Sequence, residues 1–391
     1  MRERRNPART AGPRRVPPPL HRPHARGHPR LHRAAGDERI HPALHRGPQL
    51  RIPAERLDSQ LEPRRILVIN VARIGDTLLV TPALRALAAK WPGAAITFLG
   101  HPKRVEVMQH LPFLAAAGPI SKHRAPWRGW LSGRTWDLAL VYGFDRALVS
   151  YALRVARSVV AFRQGRAALD GLLLRCVEPP PFQSDHAVPM QLSLTRALGL
   201  PDAGLRLSYA VTAEERAAAR RLLFQKGLQE AKPLVGLQVR AFPTKAWRDW
   251  PIEHFAALCL RISERWPGAH FLLFGGGKDR QRTEQLMHRL HGRATSLAGV
   301  LNLRESAAVM NELHLFIGLD SGPTHIAGAL DVPLIGLYHC LTPSRVIKPL
   351  GRTDVHVVDH PVAQGCSPET PMSDISVDTV WRKVLEALRT P

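Results

Sequence analysis

The sequence predicts two doubly wound α/β domains in tandem, facing a central cleft. Apolar runs of strand length alternate with helical stretches from Arg65 onward, and the alternation resets around Leu205–Thr212 and begins again. In each half a strand feeds a turn of small and polar residues, Gly75-Asp76 in the first and Asp320-Ser-Gly322 in the second. Strands alternating with helices of this length imply right-handed βαβ units and parallel sheets. Such sheets bind ligands beyond the carboxyl ends of their strands.

In the first domain, residues 61–208, Arg65–Val71 is a continuous apolar run, as in a central strand buried on both faces. Ala72–Thr77 reads as a turn, Leu78–Lys90 as a helix ended by Pro92 and Gly93, and Ala95–Leu99 as the next strand. Leu138–Tyr142 and Val159–Phe162 are further strands, with helices at Arg146–Ala156 and 186–198. The second domain, residues 209–391, opens with Thr212 and Glu215, a capping box for a helix over 213–225. Strands follow at Leu234–Val239, His270–Phe274, His314–Gly318 and Pro333–Tyr338. The helices lie at Pro251–Trp266, Lys278–Leu290, Asn302–Leu313, from Pro323 onward, and at Val377–Leu388.

Charge is unevenly placed. The 391 residues carry +23, of which residues 1–60 supply +9 from 14 Arg, no Lys and five acids. That arm also holds six His and ten Pro without apolar periodicity, so it cannot bury enough surface to offset its ordering entropy. It is expected to be disordered, or to be upstream sequence outside the working protein, since no Met follows Met1 until Met108. His21, His24, His28 and His32 have helical spacing, but the prolines oppose a helix that would align them as metal ligands. No apolar central region marks a secretory signal, and no run approaches the roughly 18 apolar residues of a membrane span. Cys176, Cys259, Cys340 and Cys366 are far apart with no CxxC, which indicates neither a zinc knuckle nor a disulfide frame and fits a reduced cytoplasmic setting.

Chemistry gathers at a few places. Asp320, Ser321, Gly322, Thr324 and His325 crowd one strand-to-helix turn, where uncovered N–H groups and the helix dipole favour an anion. Ordinary capping by Ser321, with Pro323 inside the helix, accounts for the same spacing. Gly75 allows close backbone approach, Asp76 is either a general base or a helix cap, and Thr77 follows them. Lys245, in Thr244-Lys-Ala-Trp247, is either a phosphate partner or a solvated surface lysine. Gly275, Gly276 and Gly277 lack GxGxxG and Walker spacing and read as a loop that lets a nucleotide pass close to backbone. Lys278, Asp279 and Glu284 are candidate ribose or base contacts. No Asp-x-Asp stands in a loop suited to a metal-bound nucleotide sugar, and there is no GxSxG elbow.

Taken together, Arg65-Ile-Leu-Val-Ile-Asn70 with Ile74-Gly-Asp76 and Thr81-Pro-Ala-Leu84, Lys245-Ala-Trp247, Leu297-Ala-Gly299 and Asp320-Ser-Gly-Pro-Thr-His325 with Pro333 resemble glycosyltransferase family 9, the heptosyltransferases of the lipopolysaccharide inner core. The resemblance runs from about Arg64 to the C-terminus. It implies a GT-B architecture with the acceptor on the first domain and an ADP-activated sugar on the second. No metal or other cofactor is expected. By analogy Asp76 deprotonates the acceptor hydroxyl, and Lys245 with the Ser321-Gly322-Thr324-His325 turn holds the diphosphate, inverting the anomeric centre. The acceptor is expected to be a lipid-linked saccharide, and the enzyme to be cytoplasmic, touching the anionic inner-membrane leaflet. Thr77 stands where Val or Ile is common in the family, and the basic stretch after Gly277 lacks a clear acidic nucleotide contact.

Three other readings compete. A nucleotide-sugar epimerase needs additional carboxylates and His at the sugar ring, and no such cluster is evident. A nucleic-acid-binding protein should show aromatic platforms in a basic field, whereas aromatics are 6% of the chain and absent from residues 1–60, so no nucleic acid partner is expected. A catalytically silent GT-B relative shares the same motifs.

Overall fold

The computed structural model describes residues 61–130, 133–181, 185–362 and 364–389. The arm 1–60 and its histidines lie outside the described residues.

Two six-stranded sheets, every strand pair parallel, form the two lobes. The first has the order β3-β2-β1-β4-β5-β6, with β1 at Arg65–Asn70, β2 at Ala95–Gly100, β3 at Ala116–Pro119, β4 at Trp136–Val141, β5 at Ala156–Phe162 and β6 at Arg175–Val177. The second has the order β12-β11-β10-β7-β8-β9, with β7 at Leu234–Gln238, β8 at His270–Phe274, β9 at Ala294–Ser296, β10 at Leu315–Leu319, β11 at Leu334–Tyr338 and β12 at Val355–Asp359. Counted along each lobe, both orders are 3-2-1-4-5-6, so β1/β4 and β7/β10 are the switch points where the connections reverse direction. This is the GT-B arrangement.

The central strands form because both faces are covered. Along β1, Ile66 and Val68 point to one core cluster and Leu67 and Ile69 to another, all fully buried. The cluster holding Ile66 and Val68 continues into the second lobe through Leu297, Met310, Phe316 and Ile326, so one apolar seam joins the lobes.

The four strands missing from the sequence reading, β3, β6, β9 and β12, are the four edges of the two sheets. An edge strand is covered less, so it carries a weaker apolar signal: Ala-Ala-Gly-Pro in β3 and Ala-Thr-Ser in β9. A second correction concerns the segment after β1. The helix begins at Ile74 rather than Leu78: α1 spans Ile74–Leu78, and a break at Leu79–Val80 separates it from α2, Thr81–Lys90. Asp76 therefore sits inside a helical first turn. A third correction is covalent. Cys340 and Cys366 form a disulfide with a Cα–Cα distance of 5.9 Å, because β11 and the segment after β12 bring together residues 26 apart in sequence. No helix among the described residues is long and apolar enough to cross a membrane.

Candidate active site

Each switch point contributes one wall of a cavity of about 640 Å³ between the lobes. From the first lobe come Arg73, Gly75 and Asp76, at the carboxyl end of β1. Helix capping does not occupy Asp76: the N-cap of α1 is Arg73, without a side-chain cap, and the Asp76 carboxylate has no hydrogen bond among the described residues. Its backbone carbonyl accepts from Asn70 Nδ2 at 3.2 Å, which fixes the turn while the carboxylate stays open to the cavity. Thr77 is buried and donates from Oγ1 to the Arg73 carbonyl at 2.7 Å, so it shapes α1 and does not line the cavity.

The second lobe supplies the turn after β10 and the helix α3, here Gly322–Ala329. Ser321 occupies the N-cap position but makes no side-chain cap, so its hydroxyl is not consumed by capping. With Pro323 in the first turn, the N–H groups of Gly322 and Thr324 have no intrahelical acceptor. Thr324 turns inward: its Oγ1 donates to the Leu319 carbonyl, and the residue is buried outside the cavity lining. Of the turn's predicted ligand residues, Asp320, Ser321, Gly322 and His325 reach the cavity and Thr324 supports them.

His325 is the joint between the lobes. It is 4% exposed, and a Cβ built on Gly75 would meet its Cδ2 at 2.5 Å, so glycine at 75 is required by the ring. Gly322 is required in the same way by Ile74, whose Cβ would lie 2.9 Å from an added methyl. Burial lowers the His325 pKa, partly offset by the Asp320 and Asp76 carboxylates, and holds the imidazole neutral. Its Nδ1 is buried without a partner among the described residues.

The loop after β7 carries Lys245 and a residue that sequence reasoning missed. Lys245 lines the cavity, and burial together with Arg248 and Arg73 pushes its ammonium below the ordinary lysine value, against the opposite pull of Asp320 and Asp76. Arg248 is paired with Asp320, both side chains 9% exposed, and its guanidinium lies 4.7 Å from the centre of the Trp247 ring. Nothing in the local sequence separates Arg248 from a surface arginine; only its pairing across 72 residues does. Arg73 stacks on Phe242 of the opposite lobe at 5.0 Å.

Farther along the cavity, Gly275 and Gly276 form part of the wall, with Asp279 accepting from the Gly276 N–H at 2.8 Å. Gly277 does not line it; its backbone abuts Gly299, whose added Cβ would lie 2.7 Å from the Gly277 Cα. Glu284 is exposed and outside the lining, and Lys278 is likewise outside it, so of the three acidic or basic candidates only Asp279 reaches the cavity. Leu301, Leu303 and Met310 supply an apolar wall opposite.

Among the described residues one group has metal-ligand spacing: His339 Nδ1 and the sulfurs of Cys340 and Cys366 lie within 4.8 Å of one another. Joined as a disulfide, the two sulfurs are not available as thiolates.

Residues 135–375 match the family described as Glycosyltransferase family 9 (heptosyltransferase). Similar characterised sequences include the lipopolysaccharide core heptosyltransferase OpsX of Haemophilus influenzae, 21% identical over 72% of this chain and 81% of that protein. Lipopolysaccharide heptosyltransferase 1 of Pseudomonas aeruginosa is 27% identical over 75% of this chain and 83% of its own length. Among solved structures, a family 9 glycosyltransferase of Veillonella parvula superposes with a TM-score of 0.71 at 21% identity, covering 84% of this chain and 98% of that one. The Escherichia coli ADP-heptose lipopolysaccharide heptosyltransferase II superposes with a TM-score of 0.68 at 21% identity, covering 83% and 98%. These superpositions establish the fold.

Proposed function

The chain belongs to glycosyltransferase family 9, and from that premise we propose that it moves heptose from an ADP-linked donor, with inversion and without a metal, onto a lipopolysaccharide core or a related lipid-linked saccharide. The names of its relatives, lipopolysaccharide heptosyltransferases, support the transferred sugar and the acceptor. One observation carries the catalytic reading: an unpaired carboxylate and an uncovered helix N-terminus, from opposite lobes, share one cavity.

In this reading Asp76 accepts the proton of the attacking acceptor hydroxyl. The hydroxyl oxygen bonds to the anomeric carbon as the carbon–oxygen bond to the β-phosphate breaks, and ADP leaves with the electron pair. Negative charge then grows on the diphosphate. The oriented N–H group of Gly322, the Ser321 hydroxyl and Lys245 are placed to meet it without reorganisation. Arg248 holds Asp320 at the edge of the same turn. Gly275, Gly276 and Asp279 border the space for the nucleoside. We also place the enzyme in the cytoplasm in peripheral contact with the anionic leaflet, toward which the +14 outside the arm would draw it.

The test is calorimetric titration with ADP, UDP and GDP in EDTA, paired with transfer assays on wild type, Asp76→Asn and Lys245→Ala. Selective ADP binding that survives Asp76→Asn, with transfer down about 100- to 10,000-fold, is the expected result. Weaker ADP binding is expected in Lys245→Ala. Preference for UDP or GDP discards heptose, and full activity in Asp76→Asn discards the base.

A further inference from the structure

Between β3 and β4 the chain leaves the first sheet and makes a short helical turn, Ala125–Trp127. Trp127 is 84% exposed and Trp130 66% exposed, although they stand only three positions apart. Single exposed apolar residues are ordinary; two tryptophans presented together by a braced loop are not. The brace is Arg154, on the helix Arg146–Val155, which donates to the carbonyls of Ala125 at 2.6 Å and Arg128 at 3.1 Å and lies 4.9 Å from the centre of the Trp130 ring. Trp130 Nε1 donates to the Pro126 carbonyl at 2.8 Å, and Gly129, at φ +83°, lets the loop sit against Val155. Ala125 is buried beneath, anchoring the turn in the core. The indole of Trp127 thus projects from a fixed base.

The surroundings are basic. Lys122, His123, Arg124, Arg128 and Arg134 are all exposed, and no Asp or Glu occurs from residue 107 to residue 136. The next acid, Asp137, is occupied by the backbone N–H groups of Arg64 and Arg65. Interfacial tryptophans flanked by cations are the side chains that settle at the boundary between anionic headgroups and acyl chains. The segment starts at the carboxyl end of β3, the same edge of the parallel sheet that carries Asp76.

We propose that the loop Ser121–Trp130 is the membrane-docking surface of this protein, with Trp127 and Trp130 entering the interface of an anionic leaflet and Lys122, Arg124 and Arg128 meeting its headgroup phosphates. This rests on the leaflet contact proposed above and assigns it to a place. Docked there, the enzyme holds its first-lobe sheet edge toward the membrane. A lipid-linked saccharide then reaches Asp76 without its lipid leaving the bilayer.

The experiment is co-sedimentation of the full chain with vesicles of phosphatidylcholine alone or containing about one-third phosphatidylglycerol, for wild type, Trp127→Ala and Lys122→Ala/Arg124→Ala. Wild type is expected on the anionic vesicles only. The double variant should bind about 25-fold more weakly at low salt, each cation being worth about five-fold, and Trp127→Ala several-fold more weakly at any salt. Transfer to a water-soluble acceptor fragment should be unchanged in Trp127→Ala, which reports folding. If wild type ignores anionic vesicles, the leaflet contact itself fails and this assignment with it. If wild type binds and both variants bind equally well, the assignment alone is overturned. Displacement of wild type from vesicles by a small excess of RNA would instead make the basic loop a nucleic-acid surface and overturn it. Loss of transfer in wild type with vesicle binding intact would reject the transferase reading and leave this one standing.

Discussion

Replacing Gly75 by alanine adds one methyl group at the point where the two lobes meet. The added Cβ would lie 2.5 Å from His325 Cδ2, 3.0 Å from Nε2 and 3.2 Å from Cγ. Ordinary contact begins near 3.4 Å, so the nearest pair is about 0.9 Å too close. The ring cannot swing aside, because His325 is 4% exposed and lies in the first turn of α3, whose next residues, Ile326 and Ala327, are fully buried. The strain falls on the separation of the lobes. Overpacking of this kind costs about 1–3 kcal/mol. A displacement near 1 Å between a base and the group it serves costs about 100-fold in rate. The expected result is a modest loss of thermal stability with kcat down about two orders of magnitude and ADP binding nearly intact, since the proposed donor side stays on one lobe. In a His325→Ala background the clash partner is gone, so the stability cost of Gly75→Ala should shrink to a few tenths of a kcal/mol, a coupling measurable by a double-mutant cycle. Wild-type kcat and stability in Gly75→Ala, or strictly additive effects in the double variant, would refute the reading of His325 and Gly75 as an interlobe joint.

Other outcomes follow from the same geometry. Arg304 is 8% exposed, binds both oxygens of Glu215 at 2.5 and 2.6 Å, and donates to the carbonyls of Ala210 at 2.7 Å and, in the first lobe, Glu106 at 3.1 Å. Arg304→Ala should therefore cost about 3–5 kcal/mol, read by chemical denaturation. Arg248→Ala leaves the Asp320 carboxylate buried without its partner and should raise the donor KM more than the acceptor KM, which steady-state kinetics separates. Stability should also fall on the acid side. The pKa of His325 is lowered in the fold by burial, so below about pH 6.5 the unfolded chain binds the extra proton. Unfolding free energy should be flat above neutrality and drop below pH 6.5 by at most about 1.4 kcal/mol per pH unit for each such histidine. His101, His186, His270, His314 and His339, lowered by the same cause, add to the slope, so His325→Asn should reduce it by one histidine's share.

The central elements were legible because they are covered on both sides. Runs such as Arg65-Ile-Leu-Val-Ile-Asn70 and Leu315-Phe-Ile-Gly-Leu319 have few other readings. The capping box of Thr212 and Glu215 was legible for a different reason: its chemistry is local, and both reciprocal bonds form, at 2.9 and 3.2 Å. What escaped was non-local. Arg248 acquires its role only by meeting Asp320, and Cys340 only by meeting Cys366. The start of α1 escaped because Arg73, Ile74 and Gly75 carry no N-cap signal, and no side-chain cap forms there. Glu284 carries the charge of a ribose contact, but its place on the exposed side of a helix is not encoded in spacing alone. At the site, residue type foretold which turns meet the cavity, whereas side-chain direction decided which of their residues do, as the inward Thr324 shows.

The abutment of Gly75 on His325 and of Gly322 on Ile74 also bears on how such enzymes can be recombined. A chimera that joined the first lobe of one family member to the second lobe of another would inherit one half of each pair from each parent. A side chain larger than hydrogen at 75 or 322, set against an unshortened partner, would hold the halves apart however well each folds. Lobe exchange should therefore succeed when residues 74, 75, 322 and 325 travel as a matched set. If the proposed split of acceptor and donor between the lobes holds, their preferences lie on separate stretches of chain that these four positions tie together.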